Sequence, residues 1–365
     1  MFKKLKLIFL VLFFPSQSFS QIPIIYHENY NVDILGIEEL HSFDTKKHGK
    51  VYSFLSEKYH EKIKIHQPEI PERSVFEKIH NSFYLDDLYN NFFNIVEIPF
   101  KIASSFDLEK LKQQVLNSMK LATGGTILGC ELALQHGCAI NLSGGYHHAK
   151  SNKGGGFCFF ADIPIAVKSI LEKRENLKIL IVDLDAHHGD GNEEIFRQDE
   201  YLSNKNIYIF DIYNREKYPF VISELDFWQD VNLMFNEDSP KNYLYPVENG
   251  CTTEQYLELL KSELPEVINK IKPNLIIYNA GTDIYEKDSL GGMKVSKEGI
   301  IERDALVFKT SLENKIPIMM VLSGGYTQDS AQRISESIEN LINNVITQDL
   351  MLAAVKTPKK WCIVS

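Results

Sequence analysis

Six short runs along the chain are almost wholly apolar and rich in β-branched residues: IPIIY (22–26), CAINLS (138–143), KILIVDLD (178–185), NIYIFDI (206–212), NLIIYNAG (274–281) and IPIMMVLSGG (316–325). Runs of this length suit strands buried on both faces of a parallel sheet. Between them, apolar residues recur every three or four positions among Lys and Glu in IPIAVKSILEKRENL, TEQYLELLKSELPEVINKI, KEGIIERDALVFKTSLEN and SAQRISESIENLINNVIT. That period predicts helices. The alternation predicts an α/β fold: a single-domain, mostly parallel sheet with helices on both faces. No long linker or low-complexity stretch interrupts the chain after residue 22. One domain is therefore expected over 22–348, with a helical stretch at about 37–120 on its flank and a tail at 349–365.

In such sheets ligands bind beyond the carboxyl ends of the strands. Four of these ends carry reactive side chains: SGGYHHAK brings His147 and His148, DLDAHHGDG follows the third run, GTDIYEKDSLGG brings Asp283, and the last SGGYTQ brings Tyr326. In a strand, residues two apart share a side, so Asp183, Asp185 and His187 tend to face one way. A carboxylate and an imidazole together suit Zn²⁺, and Asp283 from another strand end is the natural third ligand. Three protein ligands leave a position for water, the arrangement of a catalytic zinc.

Composition narrows the reading. The chain has 365 residues, 44% hydrophobic and 24% charged, as in ordinary globular proteins. A net charge of −10 argues against direct nucleic-acid binding. Five scattered cysteines without a CxxC pair argue against a zinc ribbon or a disulfide scaffold. Residues 1–20 combine Lys3, Lys4 and Lys6, an apolar run from Leu7 to Phe14, and Ser18-Phe19-Ser20. That is the pattern of a cleaved export signal, too short to span a bilayer, and it predicts a periplasmic or secreted protein. A cytoplasmic or host-cell location is the alternative. The last four residues, from Cys362 to Ser365, match a C-a-a-X lipidation box, which conflicts with export and is read as coincidence.

Taken together, VDLDAHHGDG, GYHHA, GGGFCFF, NAGTDIYEKDSLGG and SGGY resemble the zinc-dependent histone deacetylases of the arginase/deacetylase fold. YNAGTDI, DIYNREKYP and GGGFC look most like the class IV branch. The resemblance runs from roughly Ile24 to about Val345. It implies that Asp185, His187 and Asp283 hold zinc, that His148 is the general base, and that His147 is its electrostatic neighbour. It implies that Asp183 and Asp190 orient His147 and His148, and that Tyr326 hydrogen-bonds the substrate carbonyl. Gly156, Phe157 and Tyr218 match the walls of a lysine channel, and a potassium ion is implied near Asp183, Asp185, His187 and Asp211. The implied reaction is hydrolysis of the amide of Nε-acyl-lysine in a protein or peptide, with long fatty-acyl chains suggested by the class IV likeness. Alternatives are an amidohydrolase of small N-acyl amines such as acetylpolyamines, and a non-catalytic acyl-lysine-binding protein.

Overall fold

The computed structural model describes residues 21–32, 43–96, 108–219 and 241–355. The leader-like segment 1–20 and the box at Cys362 lie outside them. Eight parallel strands form one sheet: β1 (Ile22–Ile25), β2 (Ile63–His66), β3 (Cys138–Asn141), β4 (Ile179–Asp183), β5 (Ile207–Asn214), β6 (Asn242–Val247), β7 (Leu275–Asn279) and β8 (Ile318–Val321). Their order is β2-β1-β3-β8-β7-β4-β5-β6. The helices are α1 (Lys47–Tyr59), α2 (Arg73–Phe76), α3 (Ser82–Asp86), α4 (Leu88–Val96), α5 (Leu108–His136), α6 (Asp162–Lys173), α7 (Asp190–Gln198), α8 (Thr253–Ile271), α9 (Lys297–Glu313), α10 (Ser330–Asn340) and α11 (Gln348–Val355). None of them is long and apolar enough to cross a membrane.

The sheet is buried on both faces, and alternate residues of each strand feed separate cores. Ile140, Leu180, Val182, Ile276 and Met320 pack with α1, α8, α9 and α10. Ala139, Ile179, Ile181, Ile277 and Met319 pack with α5 and α6 on the other face. This two-sided burial explains why the central strands read as unbroken apolar runs. The helix ends are written locally as well. Thr252 and Gln255 form a reciprocal capping box that opens α8, and the Ser296 hydroxyl accepts the Gly299 N–H at the start of α9.

Two strands escape the pattern, and both are at sheet edges. β2 lies within the flank expected to be helical, and β6 is half-buried along its length. An edge strand has only one covered side, so its apolar run is short or broken. The segment SAQRISESIENLINNVIT is also not one regular helix: after α10 the turn widens over Leu341–Val345. The described cysteines, Cys130, Cys138, Cys158 and Cys251, are buried free thiols.

Candidate active site

The β4–β7 ladder ends where Asp183 faces Asn279, and both chains then leave the sheet. From β4 come Asp185 and His187, and from β7 comes Asp283. Among the described residues these three side chains form a group with metal-ligand spacing, their donor atoms lying within 4.8 Å of one another. His187 Nδ1 lies 3.0 Å from Asp185 Oδ1 and 2.8 Å from Asp283 Oδ2. The remaining carboxylate oxygens are held by the fold. Asp185 Oδ2 accepts the Ser323 hydroxyl and the Gly324 N–H, each at 2.9 Å. Asp283 Oδ1 accepts the Ala186 N–H at 2.9 Å.

Close packing at this point requires glycine. A Cβ at Gly281 would stand 2.2 Å from Asp185 Oδ2, and one at Gly324 would stand 2.6 Å from both Asp185 Oδ2 and Asp283 Oδ2.

The donor set fits a divalent cation. Two fully buried carboxylates converge on one imidazole nitrogen. Burial, then the Asp185 charge, pushes Asp283 up to about 7. His187 is raised well above its ordinary value because the two carboxylates outweigh its burial. A cation held between these atoms would relieve the like charges of the two carboxylates. Oxygen and nitrogen donors in this number are what zinc takes in a catalytic site.

Two histidines follow β3. His147 Nδ1 lies 2.9 Å from Asp183 Oδ2, and its Nε2 is 3.6 Å from Asp185 Oδ1. His148 Nδ1 lies 2.8 Å from Asp190 Oδ1, at the start of α7. The neighbours are shifted in opposite directions. Burial lowers His147, but Asp183 and Asp185 outweigh it and raise the group to about 9. Burial, then the adjacent His147, lowers His148 to about 4. Lys150 Nζ binds the other Asp190 oxygen at 3.0 Å and Glu194 at 2.8 Å, fixing which oxygen faces His148.

Tyr326 stands over the same point, its ring edge-on to His187 at 6.1 Å and to Phe157 at 6.0 Å. Burial, then Asp185 and Asp283, hold its hydroxyl pKa well above the usual value, so it remains a donor. The Tyr218 ring is edge-on to His148 at 4.8 Å. Gly156 and Phe157 both have left-handed backbone, φ 51° and 65°. A Cβ at Gly156 would lie 2.4 Å from the His148 ring, so only glycine lets this loop approach.

A pocket shared with these rings is lined by apolar side chains including Val32, Phe43, Phe92, Leu111, Val115 and Met119. The same lining includes His147, His148, Phe157, Asp185 and Tyr326.

The expected residues are thus brought together, with one different use. Asp211 lies beside Asp183 in the sheet, but its Oδ2 pairs with His188 Nδ1 at 2.9 Å and accepts the Gly189 N–H at 3.1 Å. His188 Nε2 meets Glu193 at 3.0 Å. Asp211 therefore secures the turn between His187 and Asp190, and the implied potassium grouping gains no support.

Several supporting residues were not singled out from the sequence. The buried Lys47 ammonium donates to the Ser323 carbonyl at 2.7 Å and sits 4.3 Å from the centre of the Phe43 ring. Asp162 accepts the N–H groups of Gly145 and Tyr146 at 2.9 and 2.8 Å, setting the loop before His147. Asp288 accepts the Tyr326 N–H at 2.7 Å. Asp162 and Asp288 do fall beside the GGGFC and TDIYEK motifs, which was the available hint.

A family model described as histone deacetylase domain matches residues 41–342. The chain is 37% identical over 334 residues to histone deacetylase 2 of Arabidopsis thaliana, covering 90% of this chain and 81% of that protein. It is 29% identical over 313 residues to an uncharacterized protein of Picosynechococcus, covering 84% and 93% respectively. The crystal structure of acetylpolyamine aminohydrolase from Burkholderia pseudomallei shares the fold, with a TM-score of 0.66 over 89% of this chain and 99% of that chain at 16% identity.

Proposed function

From the premise that this chain belongs to the zinc-dependent histone deacetylase family and is a hydrolytic deacetylase, we propose that it cleaves the amide of an Nε-acyl-lysine side chain. The observation that carries this reading is the joint placement of the Asp185–His187–Asp283 group and a histidine pair in which each Nδ1 is held by its own carboxylate. Zinc bound by these three residues would polarise the amide carbonyl and acidify a water molecule.

The chain's own groups supply the rest. His148 is held by Asp190 through Nδ1, which leaves Nε2 for the reacting water. It is unprotonated at neutral pH, so it can take the water proton and then deliver it to the leaving lysine amine. His147 carries a positive charge beside the site and favours negative charge growing on the carbonyl oxygen. Tyr326 donates its hydroxyl to that oxygen. Phe157 and Tyr218 offer apolar ring surface to the lysine stem.

The apolar pocket extends this reading to the acyl group. Its apolar lining, reaching Leu111, Val115 and Met119 on α5, favours a chain longer than acetyl. An acyl series from acetyl to myristoyl on one lysine peptide, with zinc quantified and a chelator control, tests the proposal. Turnover that rises with chain length, is abolished by chelator, and shortens in preference when Val115→Trp fills the pocket is expected. Preferential turnover of acetylated polyamines, or acyl-peptide binding without turnover, would overturn it.

A further inference from the structure

The largest fully buried side chain in the described structure is a cation, Arg303 on α9. In sequence it belongs to an ordinary amphipathic helix, where arginine is expected on the wet side. Instead its guanidinium points beneath the strand ends that bear the metal-ligand group. Nη1 donates to the carbonyl of Leu184 at 3.1 Å and to that of Gly281 at 2.5 Å, and Nη2 donates to Ala280 at 3.4 Å. Leu184 directly precedes Asp185, and Gly281 lies two residues before Asp283.

These carbonyls sit where the β4–β7 ladder has ended. The last rung pairs Asp183 with Asn279, and the Leu184 N–H still reaches the Asn279 carbonyl at 3.0 Å. Beyond it the two chains diverge, and buried carbonyl groups there need donors from elsewhere. One planar guanidinium provides them to both chains at once. The charge is balanced by Asp304, whose Oδ1 accepts Arg303 Nε at 2.8 Å and the Tyr278 hydroxyl at 2.5 Å, while Oδ2 accepts the Ser337 hydroxyl at 2.5 Å.

A buried ion pair is a poor choice if the helix needs only packing, because apolar residues of similar volume often stabilise as well or better. The fork geometry is what an apolar residue lacks. We propose that Arg303 is a positioning residue for the metal centre, fixing the spacing between the loop that carries Asp185 and His187 and the loop that carries Asp283. The inference rests on the zinc reading above.

The test uses the full chain and four proteins: wild type, Arg303→Lys, Arg303→Met, and Arg303→Met with Asp304→Asn. The double variant removes both charges and keeps a polar partner for the Tyr278 and Ser337 hydroxyls. Zinc dissociation constants, the visible absorption of the cobalt-substituted proteins, and melting temperatures are measured. Arg303→Met should weaken zinc binding by about 10- to 100-fold, the usual effect of losing a support to metal ligands, and Arg303→Lys by less. The double variant should recover melting temperature relative to Arg303→Met while still binding zinc weakly and with an altered cobalt spectrum. Should Arg303→Met fail to fold, Arg303→Lys and the double variant decide the matter. Wild-type affinity and spectrum in those variants would make Arg303 a packing residue only and overturn the proposal. A wild-type chain that binds no zinc at this site would overturn both this inference and the reading beneath it.

Discussion

Alanine at position 324 gives a test whose size can be worked from the structure. Gly324 donates its N–H to Asp185 Oδ2 at 2.9 Å, and an added Cβ would stand 2.6 Å from Asp185 Oδ2, 2.6 Å from Asp283 Oδ2 and 3.0 Å from Asp283 Cγ. Ordinary contact begins at 3.4 Å, so both carboxylates would have to retreat by about 0.8 Å. Metal–ligand distances tolerate only about 0.2 Å. The backbone at Gly324 is outside the left-handed region, so alanine meets no conformational strain there. Crowding the carboxylates costs about 1–3 kcal/mol even without metal, partly offset by about 0.4–1 kcal/mol gained through the unfolded state. Gly324→Ala should therefore bind zinc at least tenfold more weakly, about 1.4 kcal/mol, while the metal-free protein melts within a few degrees of wild type. Competition titration against a chromogenic chelator and calorimetry read the two quantities. Wild-type zinc affinity in a folded variant would refute the assignment of these two carboxylates to one ion.

Two further outcomes are expected. Tyr326→Phe removes one buried hydroxyl donor and should slow turnover roughly a hundredfold, about 3 kcal/mol, with zinc content unchanged; near-normal turnover on an acyl-lysine peptide would remove the oxyanion role. Burial lowers Lys47 from 10.5 to about 8, so between these values the unfolded chain binds more protons than the folded one and stability rises with pH. That contribution reaches about 3 kcal/mol over the window and is absent below it. Urea unfolding of wild type and Lys47→Met at pH 8 and pH 10 should show wild type gaining stability relative to the variant as pH rises, and parallel curves would contradict the burial argument.

The parts of the molecule legible in the sequence are those in which local pattern and final environment agree. β4 and β7 read as strands because they are buried on both faces, and TEQYLELLKSELPEVINKI became α8, which the structure shows capped by Thr252. β2 and β6 were hidden because an edge strand needs no continuous apolar run. At the site, Asp185, His187 and Asp283 could be inferred because their residue types and strand-end positions are unusual in themselves. Arg303, Lys47 and His188 could not: each is a common charged or polar residue whose meaning lies in being buried, and burial of a helix-face arginine depends on what packs over it. The potassium ion implied near Asp211 gains no support from residue type and strand end alone, for one oxygen of that carboxylate is taken by His188.

Asp185 and Asp283 are acids enclosed together, with Asp283 pushed up to about 7. A cation that binds only the folded chain adds to its persistence, by about 2.7 kcal/mol when free metal is a hundredfold above its dissociation constant. Copies synthesised during metal scarcity would open more often and be cleared sooner by proteases. Abundance of the protein, and not only its rate, would then track the zinc supply of its surroundings.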